Sequence, residues 1–229
     1  MFATNMYPTE RMIVEAASAI IFFVLVRFMI KPYQLTREGR YLGLPLGFGF
    51  LGVSSALAAF SYSPLIPQNL ATSFLWPPVL ARTFAFVFIA VTYFFSDRTS
   101  RRSRLLGNIT ISFLVIALAI LLIMLFVAPE FTFKGYSPSN VYLRAFNIAC
   151  LVYVCIFTLR SHVRNPDPTT IWIPFGFIFL AISQYTLLFW YLDTSFSAFI
   201  ASLVDRFVSL AIFLWVAYRA FYRSIKKDG

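Results

Sequence analysis

Charge is what this chain has least of. Only 12% of its 229 residues are Asp, Glu, Lys or Arg, about half the share of an average soluble domain. With 60% of residues hydrophobic and a mean hydropathy of +0.79, one water-soluble core of this size could not hide the apolar side chains. The same figures exclude a disordered chain. Histidine occurs once, at His162, which excludes a bis-histidine haem. Two cysteines, Cys150 and Cys155, share one apolar segment. Five residues apart, they lie about 140° around a helix, so they neither bridge within it nor match a metal or redox spacing. All four lysines (Lys31, Lys134, Lys226, Lys227) fall outside the apolar segments, which excludes a retinal Schiff base. No His/Cys/carboxylate cluster has metal-ligand spacing and no nucleophile elbow is present. The expectation is a non-enzymatic protein with no cofactor and no metal.

Long apolar runs are what the chain has in abundance. A membrane-spanning helix needs about 20 mostly apolar residues, and seven segments qualify: Met12–Ile30, Tyr41–Tyr62, Leu75–Phe95, Ile109–Val127, Val141–Leu159, Ile171–Tyr191 and Phe196–Tyr218. Pro64, Pro67, Pro77 and Pro78 flank the third, Pro129, Gly135 and Pro138 mark the connection after the fourth, and Asn165-Pro166-Asp167-Pro168 marks the next. The first run follows only Arg11 and Glu10 and is too long for a signal-peptide core, so it reads as a retained span. The fold class expected is all-α integral membrane, one seven-helix bundle over residues 1–229 with short connections.

Lys and Arg set the direction. Arg27, Lys31, Arg37, Arg40, Arg98, Arg101, Arg102, Arg104, Arg160, Arg164, Arg219, Arg223, Lys226 and Lys227 fall on one side, against Arg11 and Lys134 on the other. The N-terminus is therefore expected outside and the C-terminus in the cytoplasm, in the cell membrane. Spread over four loops, these charges favour anionic lipid headgroups at the cytoplasmic face and do not form a nucleic-acid patch. Trp76, Trp172 and Trp190 sit near segment ends, as interfacial belts require.

Two segments begin alike. Leu44-Pro45-Leu46-Gly47-Phe48-Gly49-Phe50-Leu51-Gly52-Val53-Ser54 matches Ile173-Pro174-Phe175-Gly176-Phe177-Ile178-Phe179-Leu180-Ala181-Ile182-Ser183, and Ala81-Arg82-Thr83-Phe84 is echoed by Leu143-Arg144-Ala145-Phe146 and Asp205-Arg206-Phe207. These resemblances predict a duplicated, parallel helix-hairpin unit. Pro45 and Pro174 stand in first helical turns, where proline is ordinary, so no mid-membrane break is expected. Gly47-Phe48-Gly49-Phe50-Leu51-Gly52 spells a dinucleotide fingerprint but lacks the preceding strand and the later acid that the chemistry needs. Gly43, Gly47, Gly52 and Gly176 are instead expected at close helix contacts, with Gly43-x-x-x-Gly47 and Gly52-x-x-x-Ala56 letting backbones approach. Asn108-Ile109-Thr110 is a sequon by spelling, on the side where glycosylation does not operate.

Apart from Arg27 near the inner end of the first, five charges fall inside the apolar segments: Glu15, Arg82, Arg144, Asp205 and Arg206. All lie toward the outer half of helices entering from outside, and charges in hydrocarbon turn inward and pair. Asn147, one turn after Arg144, and Ser209, one turn after Asp205, are candidates to complete the network. On a structural reading the network only fixes helix register. On a binding reading three arginines against two carboxylates leave one positive charge for an anionic ligand or lipid headgroup, which the planar guanidinium suits. The function expected is a receptor-like binding and relay module acting through another membrane or cytoplasmic protein. Alternatives are a non-catalytic subunit of a larger membrane complex and a small secondary transporter or channel.

Overall fold

The structure, a computed structural model, describes residues 8–31, 43–63, 75–96, 101–127, 136–164, 166, 171–193 and 195–225. Every secondary-structure element among them is a helix: α1 (Pro8–Met29), α2 (Gly43–Ser61), α3 (Trp76–Ser96), α4 (Arg101–Val127), α5 (Tyr136–Arg164), α6 (Trp172–Asp193) and α7 (Phe196–Ile225). Six of the seven are long and apolar enough to cross a membrane, and the described apolar part of α4 is shorter, Leu105–Leu121. A multi-pass integral membrane protein follows. In hydrocarbon, backbone polar groups must be satisfied internally, and helices do this segment by segment. Arg37, Arg40, Arg98, Lys134, Lys226 and Lys227, on which much of the expected orientation rests, lie outside the described residues.

The helices outrun the expected spans where apolarity ends but backbone hydrogen bonding does not. The residues expected to form a loop before the fourth span begin α4 at Arg101, and α7 runs on to Ile225. His162 stands in the last turn of α5. Pro45, Pro77, Pro78, Pro138 and Pro174 all fall in first turns, where the missing N–H has no intrahelical partner to lose.

Six helices close a ring. Helix α1 packs on α2, α2 on α3, α3 on α5, α5 on α6, α6 on α7, and α7 returns to α1, while α4 leans on α3 from outside. The main core draws Phe22 and Leu25, Phe48 and Leu51, Phe86 and Ile89, Leu151 and Val154, Phe177 and Leu180, and Leu210 and Phe213 from the six ring helices in turn, and none of the described side chains of α4. Ile109, Phe113, Ile116 and Ile123 of α4 are each more than half exposed. Across the ring, Phe48 and Phe177 both meet the Phe213 ring edge-on, at 5.2 and 4.9 Å. These aromatics fill the end of the bundle at which α2 and α6 begin.

Glycines let the helices approach this closely. A Cβ on Gly43 would collide with the Thr92 hydroxyl, and one on Gly47 with the Ile89 side chain, so α2 lies directly on α3. On Gly52 it would lie 3.1 Å from the Phe23 ring of α1, and on Gly176 2.8 Å from the Phe213 ring of α7. Ala56, expected to extend the Gly52 contact, is exposed on the outer face of α2. Trp76 and Trp190, expected in interfacial belts, are buried at 4% and 0% exposure. Trp172 and Trp215 stay partly exposed, with their rings edge-to-face at 5.4 Å.

Candidate functional site: a buried guanidinium cluster

The end of the ring at which α1, α3, α5 and α7 begin is polar inside. Its centre is Glu15, two turns into α1. Arg82 of α3 donates from Nη2 to both Glu15 oxygens, at 3.2 and 3.1 Å. Arg206 of α7 places Nη1 2.7 Å from Oε1 of the same carboxylate. One acid thus holds two guanidinium groups from two other helices. Charge-assisted contacts of this kind are the strong ones inside a low-dielectric bundle.

Serines set the arginine stems. Ser54 Oγ donates to the Pro78 carbonyl at 2.7 Å, one turn before Arg82, and accepts from Arg82 Nε at 3.3 Å. On the other side of the ring, Ser183 Oγ donates to the Ser202 carbonyl at 2.8 Å, one turn before Arg206. Ser209, expected in the charge network, instead donates to the Gly176 carbonyl at 2.8 Å and ties α7 to α6. Its hydroxyl, 0% exposed, thereby satisfies its donor beside the close glycine contact.

Arg144 of α5 is 6% exposed and donates from Nε to Asn140 Oδ1, one turn earlier, at 2.8 Å. Asn147, one turn later, is buried as well. Arg11, counted from the sequence as a loop charge, is 6% exposed, and its guanidinium lies 4.6 Å from the ring centres of both Tyr62 and Trp190. Cation–π contacts of this kind gain strength where water is excluded. The spacing of Arg11 and Glu15, four apart on one helical face, was the available signal.

Arg11, Glu15, Arg82, Arg144 and Arg206 line one cavity, with Tyr62, Pro78, Leu187 and Phe199 among its walls. It holds about 30 Å³, room for about two water molecules. Asp205 does not join it. This residue is half-buried at the edge of the α7 stripe formed by Ser202, Arg206, Ser209 and Phe213, and among the described residues it enters no ion pair. Where three arginines and two acids were expected, the described lining has four arginines and one acid. Among the described residues no three His, Cys, Asp or Glu side chains gather as metal ligands would, and Cys150 and Cys155 are free thiols on α5. Comparison with family models, curated proteins and solved structures finds no match.

Proposed function

We propose that this is a non-enzymatic, receptor-like membrane protein whose cavity binds a small anionic group from outside and passes the change to a partner protein at the cytoplasmic face. The observation that carries the reading is the lining of the cavity: among the described residues it gathers four guanidinium groups around one carboxylate. At an effective dielectric near 20, two like charges about 8 Å apart repel by about 2 kcal/mol. Several guanidinium groups gathered in one cavity therefore favour an anion beside them. Below the cavity the ring is filled by Phe22, Phe48, Phe177 and Phe213, which suits a binding site closed at its inner end better than a conducting path.

Two matched sets of contacts favour a second reading, a small transporter built from a parallel duplication. Arg11, Glu15, Ser18, Phe22 and Leu25, buried on α1, stand 129 residues before Asn140, Arg144, Asn147, Leu151 and Val154, buried on α5. Ser54 and Ser183 keep the same 129-residue offset, and the carbonyls they reach, Pro78 and Ser202, share one of 124 with Arg82 and Arg206. Two three-helix units, α1–α3 and α5–α7, related about an axis through the cavity and joined by α4, account for these offsets. Parallel repeats of this kind occur among transporters. Uptake of a labelled anion by proteoliposomes separates transporter from receptor.

Binding is read from stability. Arg144→Gln is expected to remove anion-dependent thermal stabilisation of the detergent-solubilised protein. Its melting temperature without anion should not fall, since glutamine can still bond Asn140 and one of the repelling charges is gone. A wild-type protein indifferent to every anion tested overturns the reading. For orientation, Cys150 and Cys155 are first replaced by Ser; a cysteine at position 134 should then react with an impermeant reagent from outside, and one at position 100 only from the cytoplasm. Equal labelling at both from one side refutes the proposed direction.

A further inference from the structure

Helix α3 is enclosed and α7 is not. Arg82 and Arg206 turn into the same cavity from the two, 124 residues apart, so positions at that spacing hold the same place on each helix. Beside α2 and α5, α3 carries α4, whereas α7 packs mainly on α6 and α1. Trp76 and Leu80 of α3 are 4% and 5% exposed, but their counterparts Ile200 and Val204 are 40% and 54% exposed. With Ala211 and Trp215, also exposed, these two form one stripe about 60° wide on α7. An apolar stripe alone suits lipid tails as well as a partner.

Asp205 does not suit lipid. It stands about 13 Å along α7 from Phe196, within a helix long and apolar enough to cross a membrane. It is half-buried, and among the described residues it makes no ion pair or side-chain hydrogen bond. Charges at membrane depth are costly unless they pair. The neighbouring Arg206 is turned about 100° away and is held by Glu15. The corresponding place on α3 belongs to Ala81, 2% exposed. Gly107 of α4 lies against Phe95, whose bearing is about 220° around α3 from Arg82. The same bearing from Arg206 falls between Trp215 and Asp205, at about 180° and 260°. A helix seated on α7 as α4 is seated on α3 would touch both the stripe and the acid.

We infer that a single membrane-spanning helix of another protein docks along α7 in this place, with one lysine or arginine level with Asp205. The basic residue supplies the missing counter-charge, and the stripe supplies close contact along the rest of the helix. A second copy of the chain is a poor occupant. Its α4 is wholly apolar from Phe113 to Val127, the part that would reach the level of Asp205. Packing α7 on α7 would bring two Asp205 carboxylates together, and like charges repel. Asp205 is not part of the cavity lining, so this partner is independent of what the cavity binds.

Energy transfer in phosphatidylcholine vesicles tests this. The full chain, with Cys150 and Cys155 replaced by Ser, carries a donor dye through Ser197→Cys, at an exposed position where α7 begins. Synthetic leucine–alanine helices of about 22 residues carry the acceptor and differ only at a position level with Asp205: arginine, glutamine or leucine. The arginine helix should associate about five to twenty times more tightly than the other two. Asp205→Asn should remove that advantage, and Asp205→Glu should keep it. Ala211→Trp, which fills the stripe, should weaken binding of the arginine helix. If arginine binds no better than glutamine, or if Asp205→Asn keeps the preference, the docking site is overturned. Transfer between differently labelled copies of the protein, weakened by Ala211→Trp, would assign the stripe to a second copy and overturn it too. An Asp205→Asn protein that does not fold leaves Ala211→Trp to decide, and unchanged affinity for the arginine helix there places that helix elsewhere.

Discussion

Glu15→Gln should destabilise the folded protein by about 3–5 kcal/mol, the range for removing one partner of a buried ion pair. The carboxylate is shared by Arg82 and Arg206, so its loss strands two guanidinium groups inside a ring that already carries Arg11 and Arg144. Reversible unfolding in mixed detergent micelles measures the change. Glu15→Asp should recover part of the loss, because the charge remains and only the reach shortens. Asp205→Asn, on a half-buried residue outside the cavity, should change stability by no more than about 0.5 kcal/mol. Equal effects at positions 15 and 205 would falsify the assignment of Glu15 as the acid at the centre of the cluster.

Gly47→Leu should cost about 3 kcal/mol, at the upper end of ordinary overpacking. A Cβ there collides with Ile89 and lies 3.3 Å from the Ala85 carbonyl oxygen, a backbone atom that cannot swing aside. Relief requires α2 to move off α3, and with it Ser54, which bonds both the α3 backbone and Arg82. Gly49→Leu is the control. A Cβ there meets only Val26 at an ordinary 3.8 Å, and better helix propensity offsets part of any cost. If the two leucines destabilise alike, close contact of α2 with α3 is not what Gly47 provides.

Much of this arrangement was legible because charge in an apolar helix has few places to go. Glu15, Arg82 and Arg206 were readable as partners from their depth alone, and Gly47 and Gly176 as close contacts from the residues around them. Asp205 was misread because depth was weighed without angle. Lying on the edge of the α7 stripe marked by Ser202, Arg206, Ser209 and Phe213, it shares the level of the cluster but not its face. Arg11 was missed because hydropathy ends the first span at Met12, whereas aromatic faces of Tyr62 and Trp190 accept its cation inside the ring. The place of α4 was not readable at all. A helix facing lipid tails is as apolar as one facing neighbours, so composition does not say which of seven apolar helices stays outside a closed ring.

Closure of the ring through α1 and α7 also imposes an order in time. Synthesis proceeds at roughly 5–20 residues per second, so Arg82, 67 residues after Glu15, is made about 3–13 s later. Arg206 comes last, about 10–40 s after Glu15 by the same rate. Through that interval the nascent chain holds its one central acid with a single guanidinium, and the final helix completes the pair and the ring in the same step. A ribosome stalled before α7 would therefore carry an open polar seam, the kind of exposed edge that membrane quality control can recognise in an unfinished protein.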